Sequence, residues 1–94
     1  MTEIGLFTTP NASKYLQQLC KHFEHKVSVE YDETTGTAAL PAGPAKLAAD
    51  ENGLRVEINA ETDENLIRAR FVIDDHLKRF AFREGFTGME WQPA

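Results

Sequence analysis

Between Val27 and Asn59 the chain alternates apolar and polar residues, and turn-forming residues interrupt it three times. On either side the apolar residues recur at helical spacing instead. A period of two places one face of a strand against a core, whereas a period of 3.6 does the same for one stripe of a helix. This change of period commits the chain to a block of consecutive strands flanked by two amphipathic helices.

The details follow from local chemistry. Ile4 to Phe7 is long enough for one short strand. Thr8-Thr9-Pro10 reads as a helix start, a threonine N-cap followed by proline at the first helical position. The helix then runs from Pro10 to about His25, with Ala12, Tyr15, Leu16, Leu19 and Phe23 as its apolar stripe. Val27, Val29 and Tyr31 mark a strand, Asp32 to Gly36 a turn, and Thr37 to Leu40 the return strand. Pro41-Ala42-Gly43-Pro44 is a loop, because proline has no N–H for a sheet ladder. Ala45 to Ala49 is the next strand. Asp50 to Gly53 forms a hairpin turn in which Asn52-Gly53 supplies positive φ angles, and Leu54, Val56 and Ile58 face the core of the strand that follows. Thr62 caps the second helix, with Asp63 and Glu64 placed well against its dipole. Pairs at i,i+4 support it: Glu64 with Arg68, Asp74 with Lys78, and Asp75 with Arg79. Its buried stripe is Leu66, Ala69, Ile73, Leu77 and Phe80, and it stops by Gly85. The tail, with Met89 and Trp91, folds back on the body.

The order β-α-β-β-β-β-α, with three successive hairpin connections, predicts an α+β two-layer sandwich: a mostly antiparallel sheet with two helices on one face. It matches the TATA-binding-protein-like topology, an analogy of fold that carries no function. With 94 residues the expectation is one domain spanning residues 1–94. The single cysteine, Cys20, excludes an intrachain disulfide and reads as a small buried hydrophobe. No run approaches the roughly 18 apolar residues of a membrane span, and the N-terminus lacks a signal-peptide pattern, so a cytoplasmic setting is expected. The formal charge of −5 argues against nucleic acid as a partner.

Reactive residue types concentrate at Cys20-Lys21-His22-Phe23-Glu24-His25 and at His76. His22 and His25 lie about 60° apart around a helix, so they share an edge. His22 and His76 border the two apolar stripes and face each other if the helices lie side by side. Such imidazoles suit zinc, copper, nickel or iron. The spacing rules of metal sites are not met, however, and histidines bordering a core more often hydrogen-bond a carbonyl or carboxylate. No cofactor is therefore expected, with a metal ion at His22, His25 and His76 as the sharper alternative. Arg79 and Arg83, within a cationic series that includes Arg68, Arg70 and Lys78, are the candidates for holding an anion. Acids one turn earlier favour a self-paired, solvated face for Arg68, Lys78 and Arg79. Ile67, Phe71 and Phe82 form a second apolar patch suited to a partner surface or a homodimer. The outer sheet face carries Ser28, Glu30, Arg55, Glu57 and Asn59, with Glu30 and Glu57 within approach of one another. No phosphate loop, nucleophile elbow or His-Glu-x-x-His helix is present, and the chain is not expected to be an enzyme.

The segments Ser13–Lys26 (SKYLQQLCKHFEHK) and His76–Glu84 (HLKRFAFRE), with the glycine-containing strands between them and the late Trp91, resemble a small bacterial family, domain of unknown function 2218. The likeness covers nearly the whole chain. Tyr15, Leu19, Cys20, His22, His25, His76, Arg79, Phe80 and Arg83 match the family pattern, and none brings a catalytic role with it. The resemblance implies a bacterial cytoplasmic protein, or a module joined to a siderophore-interacting flavin reductase. The expected function is thus a non-enzymatic binding or accessory module in iron or siderophore utilisation. The alternative is a structural protein–protein interaction module that docks through Ile67, Phe71 and Phe82.

Overall fold

A computed structural model describes residues 1–94. The elements are β1 (Thr2–Phe7), α1 (Ala12–Phe23), β2 (Val29–Tyr31), β3 (Thr35–Ala38), β4 (Ala45–Ala49), β5 (Leu54–Asn59), α2 (Asp63–Phe80), a single 3-10 turn (Phe82–Glu84) and β6 (Glu90–Pro93). The six strands form one antiparallel sheet in the order β2-β3-β4-β5-β1-β6. Both helices cover one face. The α+β two-layer architecture is the expected one, with a sixth strand that the alternation did not announce.

The core lies between the layers. Leu16, Leu19 and Cys20 of α1 and Ala69, Ile73 and Leu77 of α2 are fully buried, against Leu54, Val56 and Ile58 of β5. Burying each of the larger aliphatic side chains stabilises the fold by about 1.5–3 kcal/mol. Burial pushes the Cys20 thiol up to about 11, with the Glu24 charge adding to the effect, so it stays a neutral apolar filler. Gly36 is not the turn residue expected. It lies inside β3, where a Cβ would come within 2.8 Å of Cys20 Sγ. Its lack of a side chain is what lets α1 settle on β3.

Several local expectations are corrected. The α1 helix starts two residues late and ends at Phe23 rather than His25. Thr9 Oγ1 accepts from the Asn11 N–H, so Thr9-Pro10 makes a turn and Asn11 takes the cap position. At the β4–β5 hairpin only Gly53 has positive φ and Asn52 does not. The turn is held instead by Asp50 Oδ1, which accepts from the Asn52 and Gly53 N–H groups. Thr62 caps α2 as expected, accepting from Asn65 N–H at 3.1 Å. Of the three helix pairs, Glu64–Arg68 and Asp75–Arg79 form, at 2.9 and 2.8 Å. The Asp74–Lys78 pair does not, because Asp74 accepts from the Met89 backbone N–H and from Trp91 Nε1, both at 3.0 Å.

Those two bonds dock β6. Its Trp91 lies over Gly5 of β1, where a Cβ would meet the indole ring at 2.8 Å. A second tether closes the same end of the molecule. The Glu84 carboxylate accepts from the hydroxyls of Thr9 and Tyr15 and from Asn11 Nδ2. These three donors hold Glu84 below the usual carboxylate range, and burial together with Glu84 holds the Tyr15 phenol above its own. Phe7 stacks on Tyr15 beside them and meets Phe86 at a tilt.

The outer sheet face bears no helix. One cross-strand row reads Glu30, Thr37, Lys46, Glu57, Ile4 and Gln92. Glu30 and Glu57 are therefore three strands apart, roughly 14 Å at sheet spacing, with Lys46 between them, and they do not approach each other. Arg55 and Lys46 are balanced by Glu57, Glu30 and Glu90, and Leu6 and Ile4 add apolar area; this composition does not make a nucleic-acid saddle.

Candidate functional site

The seam between α1 and α2 ends in a pair of imidazoles. His22 on the last turn of α1 and His76 on α2 have ring centroids 4.5 Å apart, inclined at 55°. Phe23 meets His76 edge-on at 5.1 Å, and Phe80 meets His22 at 6.3 Å. His76 Nδ1 lies 2.7 Å from the Val72 carbonyl oxygen. A carbonyl only accepts, so Nδ1 carries a proton in this bond and Nε2 is the ring nitrogen left to face another partner. His22 is exposed, yet its pKa is lowered. Partial desolvation is the main cause, followed by electrostatic repulsion from His76, His25, Arg79 and Lys26.

Beside this pair is a cavity of about 300 Å³, walled by His22, His76, Lys26, Val27 and the Leu40-Pro41 corner. It shares Leu40, Pro41 and Val72 with a second cavity of about 600 Å³ that runs along α2 past Phe71 and Ile67 to Arg68 and Asn65. Together they make one groove between α2 and the proline loop. The volumes fall in the range of small-molecule sites. Pro41 shapes the rim because it cannot continue a strand, and Leu40 tucks its side chain beneath it.

The structure divides the sequence candidates. His22 and His76 share a site. His25 lies in the turn beyond the end of α1 and joins neither the ring pair nor the cavity wall, while remaining close enough to His22 to act on its charge. No group of three or more His, Cys, Asp or Glu side chains is arranged to hold a metal ion. Ile67 and Phe71 are 56 % and 67 % exposed and line the groove together. Phe82 is equally exposed, at 65 %, but belongs to the 3-10 turn past the helix end, roughly 15 Å further along, and does not extend their patch. Arg79 is paired with Asp75, and Arg83 stacks 5.7 Å above the Phe82 ring. Arg70 reaches Glu3 of β1 at 3.0 Å. None of these three guanidinium groups enters the groove.

Lys26, Leu40, Pro41 and Val72 are site residues that the sequence reading did not single out. Their only prior signal was the proline loop itself, which marked a break in the sheet without showing what it would face.

Residues 5–92 match the family described as uncharacterized protein conserved in bacteria, DUF2218. The chain belongs to this family. Among solved structures, it is similar to the NMR structure of PA4090 from Pseudomonas aeruginosa, with 29 % identity and a TM-score of 0.80 over 99 % of this chain and 96 % of that one. A comparison with curated proteins finds no match. Membership of DUF2218 covers both histidine segments, so the paired imidazoles and the α2 groove lie within the matched region. No helix of this family member is long and apolar enough to cross a membrane.

Proposed function

We propose that this DUF2218 chain is a non-enzymatic binding or accessory module whose working surface is the groove along α2. The observation that carries the reading is the convergence of His22 and His76, from different helices, at 4.5 Å on the wall of a cavity that runs into a larger apolar one. The structure gives two imidazoles and no third protein ligand, so a metal held here would bring its remaining ligands with it. That requirement suits a chelated ion, and the family resemblance to modules joined to siderophore-interacting flavin reductases makes a ferric siderophore the first ligand to test.

The test is an NMR titration of the cytoplasmically expressed protein with zinc, then nickel, then a ferric siderophore, following the imidazole signals of both histidines. Saturable and coincident shifts of His22 and His76 support the reading. Flat titrations with all three reject the metal and siderophore ligands.

A second reading, docking of a protein partner such as a flavin reductase or a second copy of the chain, draws on the exposure of Ile67 and Phe71. It expects Phe71→Ser to abolish co-elution with the reductase or a concentration-dependent dimer.

A further inference from the structure

We propose that the α2 groove selects a small amphipathic organic anion, with its acidic head at the Lys26–His22–His76 end and its apolar body along Val72 and Phe71. This deepens the binding reading above and rests on it.

The sign of the charge in the groove wall selects the occupant. The chain holds fifteen Asp and Glu against ten Lys and Arg, yet no carboxylate lines either cavity. The charged side chains in the walls are Lys26 at one end and Arg68 at the other. Arg68 is satisfied by Glu64 at 2.9 Å. Lys26 makes no ion pair, so it is the uncompensated cation of the groove. Beside it stands His22, its ring centroid 4.5 Å from that of His76, in a wall that holds no carboxylate. The net charge of the whole chain acts over longer distances and is screened beyond about 8 Å at physiological ionic strength, so the local lining decides.

Polarity orders the occupant along the groove. The Lys26 end offers an ammonium and the His22 imidazole, groups that donate to an oxyanion, while the His76 Nδ1–H is already given to the Val72 carbonyl. Next to it come Leu40, Pro41 and Val72, and then the exposed faces of Phe71 and Ile67, which gain only from an apolar body. A purely hydrophilic anion would leave those faces wet. A neutral apolar ligand would leave Lys26 without a counter-charge.

The experiment compares three probes with one apolar body: 2-naphthoate, 2-naphthamide and 2-(aminomethyl)naphthalene. Binding is read from the NMR signals of His22, His76 and Phe71, with Trp91 as a distant control. Naphthoate is expected to bind at least ten-fold more tightly than the amide, with the ammonium probe weakest, and its binding should raise the His22 pKa. In Lys26→Gln, an exposed turn position, naphthoate affinity falls several-fold while the amide stays within two-fold of the parent. Equal binding of all three probes overturns the anion selection and leaves the groove as a binding surface. Absence of shifts in the groove with every probe also overturns it, and the binding reading then stands or falls on the zinc and siderophore titrations alone.

Discussion

Asp74 holds the C-terminal strand to the second helix, and removing its carboxylate should undo that end of the molecule first. In Asp74→Ala the Met89 N–H and the Trp91 indole N–H, both at 3.0 Å from the carboxylate, lose their acceptor. A hydrogen bond to a charged group contributes about 1.5–3 kcal/mol. The site is part-buried, so water replaces some of the loss, and the lower end for two bonds gives about 3 kcal/mol. Against a total stability of about 5–15 kcal/mol this is large. For a domain of this size it corresponds to a fall in Tm of roughly 12–20 °C. Trp91 is the only tryptophan in the chain, so its emission reports directly on whether β6 stays docked. The expected result is a red-shifted emission that precedes the loss of far-ultraviolet circular dichroism on heating. The neighbouring Asp75→Ala removes an exposed i,i+4 pair worth about 0.3–0.5 kcal/mol and should move Tm by no more than about 3 °C. Equal and small shifts for the two variants, with unaltered Trp91 emission, would refute the tether.

Three further outcomes are expected. Gly36→Ala overpacks the α1–β3 contact at Cys20 Sγ and should cost about 1–3 kcal/mol in urea unfolding; Cys20→Ala in the same chain should recover part of it, with a coupling above about 0.5 kcal/mol, and strict additivity counts against the close approach. Glu84 titrates below its ordinary 4.5 in the fold, so between those two values the unfolded chain binds more protons; its stabilising share is complete above about pH 4.5 and drains away as pH falls further, and Glu84→Gln should flatten the acid limb of a urea-midpoint profile. His22 likewise sits below its ordinary 6.5, which makes its neutral form the stabilising one: urea midpoints should fall from about pH 7.5 to about pH 5 and do so less steeply in His22→Phe, whereas an unchanged slope in that variant removes His22 as the cause.

What the sequence made legible was whatever rests on local periodicity. Leu54, Val56 and Ile58 alternate without interruption and appear as β5 with those side chains buried. Leu66, Ala69, Ile73 and Leu77 face the core from α2 at the spacing that announced them. Non-local terms decided the rest. Glu90-Trp91-Gln92-Pro93 has one large inward residue and a proline, too little pattern to declare a strand, and it forms only because β1 from the other end of the chain offers it a ladder. Asp74 looked like half of a helix pair with Lys78, but two N–H donors from the tail outcompete an exposed ammonium. The α1 start moved because the Thr9 hydroxyl serves both Asn11 and Glu84, and the Glu84 part of that arrangement has no signature near Thr9. The histidine candidates were visible as residue types bordering stripes. The groove was not, since the Leu40-Pro41 corner that forms its far wall has no reason in the sequence to lie against Val72.

The two outermost strands of the sheet have a consequence for how copies of the chain meet. Ala94 N–H donates to Thr2 O, so by strand alternation the backbone of residue 93 turns away from β1 toward the open side, and there proline has no donor to offer. At the opposite border β2 is three residues long and presents only Val29 and Tyr31 outward. A proline at one border and a three-residue strand at the other make both poor templates for another chain, and the route to fibrils or swapped ladders is blunted at both ends. The sheet borders thus favour side-chain contacts on the broad surfaces over shared backbone wherever two copies meet, and contacts of that kind dissolve with the mutation of a few residues.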